Sequence, residues 1–589
     1  MLPKLGLRSV LANILTMFLL AGVAGAPAYA GSNENSTISP TPKNSSSDDI
    51  WWKHAVIYEV YPRSLQDSNG DGIGDLQGIL ERLDSLKALG INAIWLTPAY
   101  PSPQVDFGYD ISNYEAIDPM YGTMADFDRL VSEAKKRNIR VILDMVMNHT
   151  SDQHPWFVES RSSRDNPKRD WYVWRDGKGP GQPPNNWQSE FGHSAWTYDA
   201  KTQQWYYHKF YAQQPDLNWN NPDVQKAMFD VVRFWLNRGV AGFRLDAITT
   251  LFEDPQLRDE KILPGKNAYG DPNEDDSMTD NLPQVHDVLR ALRKVVEAYP
   301  GQRVLIGETY LPNVRELARM YGENNDELQL PMDMQVGLIN RLDVNEFRKR
   351  IDEAETQLHG NQPLFVFDNH DNHRSWDRYG DGIHNAAIAR IVATILLTTR
   401  STALLYYGQE IGMVTTPPKT RAAVQDPIGK IGWPKEKGRD GERLPMQWTS
   451  GKNAGFSTAA KTWLPVAPNY KTVNVQVESG QPASLYLWYQ HLIALRRENP
   501  ALRDGANIMV NPSDANVLAY LRKNSGSGPS VLVVMNCTAQ PHTVALDLKS
   551  FGIKNRRAST LLQNGGVAKD ISLQHVKLPP FAVWIGAVQ

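Results

Sequence analysis

The sequence predicts an α/β protein. Its main body is a (β/α)8 TIM barrel, with a loop-rich domain inserted after the third strand and an antiparallel β domain at the C-terminal end. From Trp51 onward, short apolar strands alternate with amphipathic helices, the mark of βαβ units and a parallel sheet. A long aromatic, turn-rich stretch breaks that rhythm after the third strand, and the end of the chain turns to β-type runs.

In chain order, residues 1–30 read as a signal peptide. Lys4 and Arg8 give a positive start, an apolar stretch runs from Val10 to about Ala24, and Ala28-Tyr29-Ala30 is a small-x-small cleavage site. The apolar run is shorter than the roughly 20 residues of a membrane span. A secreted or periplasmic protein, free of the membrane after cleavage, is therefore expected. Residues 31–49, rich in Ser, Asn, Thr and Pro, read as a disordered linker.

The first part of the barrel, 50–149, holds strands at 56–60, 91–96 and 140–146, with helices at 79–89 and 126–137 between them. Residues 150–222, with runs such as Pro183-Pro184-Asn185-Asn186-Trp187, are too long for a simple loop and predict an inserted domain or substrate lid. The barrel resumes over 223–500, with strands at 242–246, 304–308, 364–367 and 403–407 and helices at 223–237 and 285–299. An irregular segment follows at 413–479, then a helix at 485–497. Residues 501–589 form the β domain, with runs at 531–535 and 581–585. Eight βα units close into a barrel more naturally than they spread into a sheet, although periodicity alone leaves an open doubly wound sheet as the alternative.

The composition is that of a globular protein of two or three domains: 589 residues, 41 % hydrophobic and 22 % charged. A net charge of −3 counts against nucleic acid as a partner. The 17 Trp and 23 Tyr suit stacking on sugar faces as well as core packing. Cys537, the only cysteine, excludes an internal disulfide and reads as a small buried residue. The Asn-x-Ser/Thr triplets at Asn35, Asn44, Asn148 and Asn536 are expected to carry no functional glycan.

Asp246, Glu308 and Asp371 each stand at or just past the C-terminal end of an expected barrel strand, the rim where such barrels place their chemistry. Glycosidic cleavage needs two carboxyl groups about the anomeric carbon, one neutral and one ionised. Arg244 is two residues before Asp246 and on the same face of the strand, so it is expected to hold Asp246 ionised as the nucleophile. Glu308 has no basic neighbour in sequence, which leaves room for a raised pKa and general-acid work.

These residues lie in motifs that resemble glycoside hydrolase family 13, the α-amylase family, in its α-glucosidase and oligosaccharidase branch. The matching stretches are Asp144-Met145-Val146-Met147-Asn148-His149, Gly242-Phe243-Arg244-Leu245-Asp246-Ala247, Gly307-Glu308 and Asn369-His370-Asp371. Gln214-Pro215-Asp216-Leu217-Asn218, Tyr406-Tyr407-Gly408-Gln409-Glu410 and Pro445-Met446-Gln447-Trp448 follow the same order. The resemblance implies a covalent glucosyl intermediate on Asp246, general acid/base catalysis by Glu308, and transition-state stabilisation by Asp371. It gives His149 and His370 to the hydroxyls of the cleaved ring, Tyr109 to stacking on that ring, Phe191 to the substrate site, and Arg244 to orienting Asp246. Asp106 and Arg443 match the pair that grips the non-reducing end in exo-acting members.

The implied function is a secreted, retaining α-glucosidase acting on small α-glucosides, with maltose and short oligosaccharides as substrates. Ala247, a small residue after the nucleophile, accompanies α-1,4 preference in this branch. The rival readings are a transferase or isomerase on the same site and a non-catalytic family member. The isomaltulose-forming relatives carry an Arg-Leu-Asp-Arg-Asp stretch soon after the Asn-His-Asp motif. Here that place reads Asp377-Arg378-Tyr379-Gly380-Asp381, which counts against sucrose isomerisation.

The segment Asp67-Ser68-Asn69-Gly70-Asp71-Gly72-Ile73-Gly74-Asp75 sets oxygen donors at alternating positions, as a hard cation requires. Its twelfth position is Gly78, so it is EF-like and not an EF-hand. The resemblance supports a structural Ca2+ here, on Asp67, Asn69, Asp71, Asp75 and the Ile73 carbonyl.

Overall fold

The computed structural model describes residues 50–589, so the expected signal peptide and linker lie outside the described residues. Eight parallel strands close into a barrel: β1 (Val56–Val60), β2 (Ala93–Leu96), β3 (Arg140–Val146), β4 (Gly242–Asp246), β5 (Val304–Gly307), β6 (Leu330–Asp333), β7 (Leu364–Val366) and β8 (Thr402–Tyr406). Each pairs with its neighbour in order, and β8 returns to β1 through Val56↔Ala403. Strands buried on both faces need apolar side chains throughout. Ile57, Ala93, Ile142, Val304, Leu330 and Leu404 accordingly pack in the lumen, while the alternate positions pack under the helices.

The sequence reading names seven of these strands. It misses β6, where Leu330-Pro331-Met332-Asp333 is short and carries a proline that argues against a strand interior. Gly242 stands at φ +153°, and a Cβ there would lie 2.0 Å from the Val304 carbonyl oxygen, so only glycine lets β4 approach β5.

The helices start where capping chemistry supplies the free N–H groups. Asp75 accepts from Gly78 N at the head of Leu76–Leu89, and Thr123 and Asp126 form a capping box at Met124–Lys136. Between β3 and β4, a three-stranded sheet (Trp174–Arg175, Gln204–Tyr207, Trp196–Asp199) packs around Trp187, Trp196 and Tyr207. A hairpin after β4 (Ile262–Lys266 and Pro272–Glu274) docks on this inserted domain, with Gln188 N donating to Glu274 Oε1 at 2.7 Å. The sequence reading has no counterpart for that hairpin.

The chain ends in a six-stranded antiparallel sheet. Arg522, buried on the sheet strand Val517–Lys523, fastens it to the barrel by donating to the Thr398 carbonyl, and it also donates to the Gly505 carbonyl. Cys537 is buried just past the strand Ser530–Asn536, and burial pushes its thiol up to about 12, so it is inert. Asn148 and Asn536 are buried with their amides hydrogen-bonded inside the protein. Among the described residues no helix is long and apolar enough to cross a membrane.

Candidate active site

The C-terminal mouth of the barrel opens into a cavity of about 140 Å³. Asp246 ends β4, Glu308 directly follows β5, and Asp371 lies in the turn after β7, so three strand ends bring these carboxyls to one cavity. Asp106, Tyr109, His149, Phe191 and His370 line the same cavity. Arg244 lies beneath it, fully buried on β4.

Arg244 is shared. Its Nη1 donates to Asp246 Oδ1 at 2.5 Å and to Asp144 Oδ1 at 3.2 Å, and its Nη2 is 2.6 Å from Glu308 Oε1. The second oxygen of Glu308 accepts the Ala247 backbone N–H at 2.9 Å. That amide is aimed by a left-handed turn at Ala247, φ 44°, a conformation disfavoured for β-branched residues. Burial pushes Asp246 and Glu308 up, each to about 7, and Asp144 up to about 6, with Arg244 pulling against burial in every case.

This corrects the sequence expectation of an ionised, low-pKa Asp246 beside an unaccompanied Glu308. The guanidinium that is adjacent to Asp246 in sequence touches both carboxyls in space, and burial acts on both. One guanidinium cannot neutralise three carboxylates, so the cluster retains a proton near neutral pH.

Asp371 has different surroundings. Burial opposes its ionisation, but Arg439 Nη1 at 3.0 Å and Arg443 Nη2 at 2.8 Å outweigh it and hold the carboxyl below the usual carboxylate range. His370 is kept neutral by burial, with Nδ1 on Glu59 Oε1 at 2.7 Å and Nε2 on the Tyr109 hydroxyl at 2.7 Å. Tyr109 stacks on the His370 ring at 5.4 Å and 8°. Burial pushes His149 down to about 3, and its Nε2 meets the Tyr109 carbonyl and Gln214.

The expected pairing of Asp106 with Arg443 is not what the structure has. Arg439 holds Asp106, Nη2 to Oδ1 at 2.6 Å, and lines the cavity. Arg443 is fully buried behind Asp371, with Nε donating to the His370 carbonyl. Both arginines belong to Arg439-Asp440-Gly441-Glu442-Arg443, and only the fold tells which one reaches Asp106. The sequence reading gives no site role to Glu59, Gln214 or Tyr310. Glu59 is an acid inside an apolar strand, which is a legible signal, since such a group must be paired or protonated. Phe191 packs at one edge of the cavity, 5.5 Å from the Arg439 guanidinium.

The Asp67–Asp75 loop lies apart from the cavity. Asn69 N, Asp71 N and Ile73 N donate in turn to Asp67 Oδ1, Asn69 Oδ1 and Asp71 Oδ1, three successive Asx turns. Gly72 stands at φ +93°, where a Cβ would meet the Lys461 carbonyl at 2.3 Å. Among the described residues no ion pair reaches Asp67, Asp71 or Asp75, and no three His, Cys, Asp or Glu side chains gather into a metal cluster. A cation here would draw on mixed donors, three carboxylates, the Asn69 amide oxygen and the Ile73 carbonyl, and that all-oxygen set has the chemistry Ca2+ needs.

The model of the α-amylase catalytic domain matches residues 59–505. The chain is 40 % identical over 555 residues to a probable alpha-glucosidase of Rhizobium meliloti, covering 91 % of this chain and 97 % of that one. It is 40 % identical over 509 residues to an oligo-1,6-glucosidase of Parageobacillus thermoglucosidasius, covering 80 % and 88 %. Among solved structures, an isomaltulose synthase mutant from Erwinia rhapontici NX5, in complex with its natural substrate sucrose, superposes with a TM-score of 0.83. Its identity is 36 %, and the match covers 92 % of this chain and 100 % of that one.

Proposed function

The chain belongs to the α-amylase family of glycoside hydrolases, in its α-glucosidase branch, and we propose that it is a retaining, exo-acting α-glucosidase. In this reading it releases terminal α-1,4-linked glucose from maltose and short oligosaccharides. The observation that carries the reading is one pocket lined by Asp246, Glu308 and Asp371 together with the buried Asp106–Arg439 pair. Charged groups that fix the hydroxyls of a terminal ring suit removal of end units over mid-chain attack.

The chemistry follows from the contacts. Arg244 contacts Asp246, Asp144 and Glu308, and in the proposed cycle the proton that this cluster retains is carried by Glu308. Asp246 attacks the anomeric carbon as Glu308 protonates the departing oxygen, leaving a glucosyl-Asp246 ester. Glu308, now ionised, takes a proton from a water whose oxygen attacks the anomeric carbon and displaces Asp246, which releases glucose with its configuration retained. Asp371, ionised by its two arginines, faces the positive charge that develops on the ring in both steps.

Ala247 supports the α-1,4 preference, because its left-handed backbone favours a small side chain beside the leaving sugar. Isomerisation of sucrose is the second reading, raised by the isomaltulose synthase neighbour. Against it, the arginine in the stretch after Asp371, Arg378, turns inward to carbonyls of His373 and Phe367 and away from the cavity lining. Export through a signal peptide at residues 1–30, to the periplasm or beyond, belongs to the same proposal. So does a structural Ca2+ on Asp67, Asn69, Asp71, Asp75 and the Ile73 carbonyl.

A product assay on maltose, isomaltose, sucrose and trehalose tests the reading. Glucose from maltose at a kcat/KM above that for the other three is expected. New disaccharides without matching glucose release would move the enzyme to the transferases.

A further inference from the structure

The half of the cavity beyond Glu308 has a wall that the reaction does not use. Glu190, Asp276, Asp280 and Thr249 line it together with Ala247, whose N–H holds Glu308. Glu308 protonates the departing sugar, so this wall faces the leaving group. Asp106 and Arg439 line the same cavity.

The whole cavity is lined by seven acidic side chains and one arginine, and that arginine is already committed to Asp106, Asp371 and Asp426. The cation nearest the wall is Lys209, whose side chain is 1 % exposed. Its ammonium is 3.0 Å from Glu190 Oε1 and 3.7 Å from Asp276 Oδ1, and it donates to Thr279 Oγ1 at 3.0 Å. One ammonium therefore serves a wall of three carboxyl groups from behind, without lining the cavity itself. In addition, Oδ1 of Asp280 is buried and has no hydrogen-bond partner. A ligand that fills this half must bring donors and must bring no negative charge.

We propose that the leaving-group half of the pocket selects sugars that carry an ammonium group over neutral ones and rejects sugars that carry phosphate, with Glu190, Asp276 and Asp280 as the specificity-determining residues. The proposal rests on the α-glucosidase reading above, because that reading decides which half the departing sugar occupies. A phosphate set against carboxylates in a water-poor cavity meets like-charge repulsion, whereas an ammonium finds acceptors already in place. Lys209 is a positioning residue that keeps Glu190 and Asp276 directed at the cavity.

The test uses three disaccharides with the same terminal glucose: maltose, its analogue with a 2-amino group on the reducing ring, and its 6-phosphate on the reducing ring. For the wild-type enzyme, kcat/KM for the amino compound is expected at least about threefold above maltose, and for the phosphate at least about thirtyfold below. Glu190→Gln and Asp276→Asn should shrink both ratios, as should added salt. Equal kcat/KM for all three, or preference for the phosphate, overturns the proposal on wild-type protein alone. Calorimetric titration of the same three compounds into Asp246→Asn protein reads the wall without chemistry. If no α-glucoside is turned over but the titration still ranks amino above neutral above phosphate, the α-glucosidase reading fails and the wall stands. A flat ranking there sinks the proposal itself.

Discussion

Arg439 Nη2 lies 2.6 Å from Asp106 Oδ1, with both side chains buried in the lining of the pocket. Removing Arg439 leaves Asp106 without its cation, and removing Asp106 loses the carboxyl that Arg439 holds in the pocket, so the two losses share one cause. Arg439→Ala and Asp106→Ala should each lower kcat/KM for maltose by at least about thirtyfold, since breaking a buried charge pair costs about 2 kcal/mol or more. The double variant should be little worse than the poorer single one. Arg443→Ala should act through Asp371 and add nothing to Asp371→Asn. Additive losses for Asp106 and Arg439 would show that the two side chains serve separate parts of the substrate.

Arg244 should set the pH range of the proposed reaction. Burial pushes Asp246 and Glu308 each to about 7, and the two need opposite protonation states, so the rate should peak near neutrality. On the acid side it falls as Asp246 gains a proton, and on the alkaline side as Glu308 loses one. Arg244 pulls both values down, so Arg244→Gln should shift both limbs toward higher pH and lower kcat by about a hundredfold or more. A pH–rate profile decides this; an acid limb that stays in place in the variant would detach Arg244 from the ionisation of the nucleophile.

Glu442 is fully buried, and neither carboxyl oxygen has a hydrogen-bond partner. Burial raises its pKa to about 8, with Arg443 opposing. An acid whose folded pKa lies above its unfolded value near 4.5 binds a proton in the folded state that the unfolded chain has lost. Its contribution to stability is therefore present at low pH and drains away as pH rises from about 4.5 to about 8. Glu442→Gln should flatten the fall of Tm across that window and raise Tm at pH 8 by a few degrees. Parallel Tm curves for the two proteins would mean that Glu442 is already ionised in the fold.

The Asp67–Asp75 loop is hydrogen-bonded to the segment just past Trp448: Asp67 N donates to the Phe456 carbonyl, and Ser457 Oγ donates to Asp67 Oδ2. If Ca2+ sits there, chelation should lower Tm while leaving turnover per folded molecule nearly unchanged, and added Ca2+ should restore Tm. An unchanged Tm in a fully chelated sample removes the metal from the account.

Much of this was legible because apolar strands that end in acids are costly and therefore conspicuous. Asp246, Glu308 and Asp371 stand out that way, and a closed barrel puts their strand ends around one mouth. What failed was what sequence neighbours cannot report. Arg244 reaches Glu308 because β4 and β5 pair in register, Leu245 opposite Gly307, across more than sixty residues of chain. Arg439 and Arg443 are both buried arginines of one irregular segment, and no period tells which faces the pocket. Strand β6 was missed because its proline and its brevity are tolerated only where neighbours on both sides complete the barrel.

The central claim is retention through an Asp246 ester, and time-resolved proton NMR of maltose hydrolysis tests it most directly. Glucose released from the non-reducing end should appear first as the α-anomer and then drift toward the equilibrium mixture, with Asp246→Asn releasing none. The β-anomer appearing first would contradict the account, because water would then have attacked the sugar directly and Asp246 could not be the nucleophile.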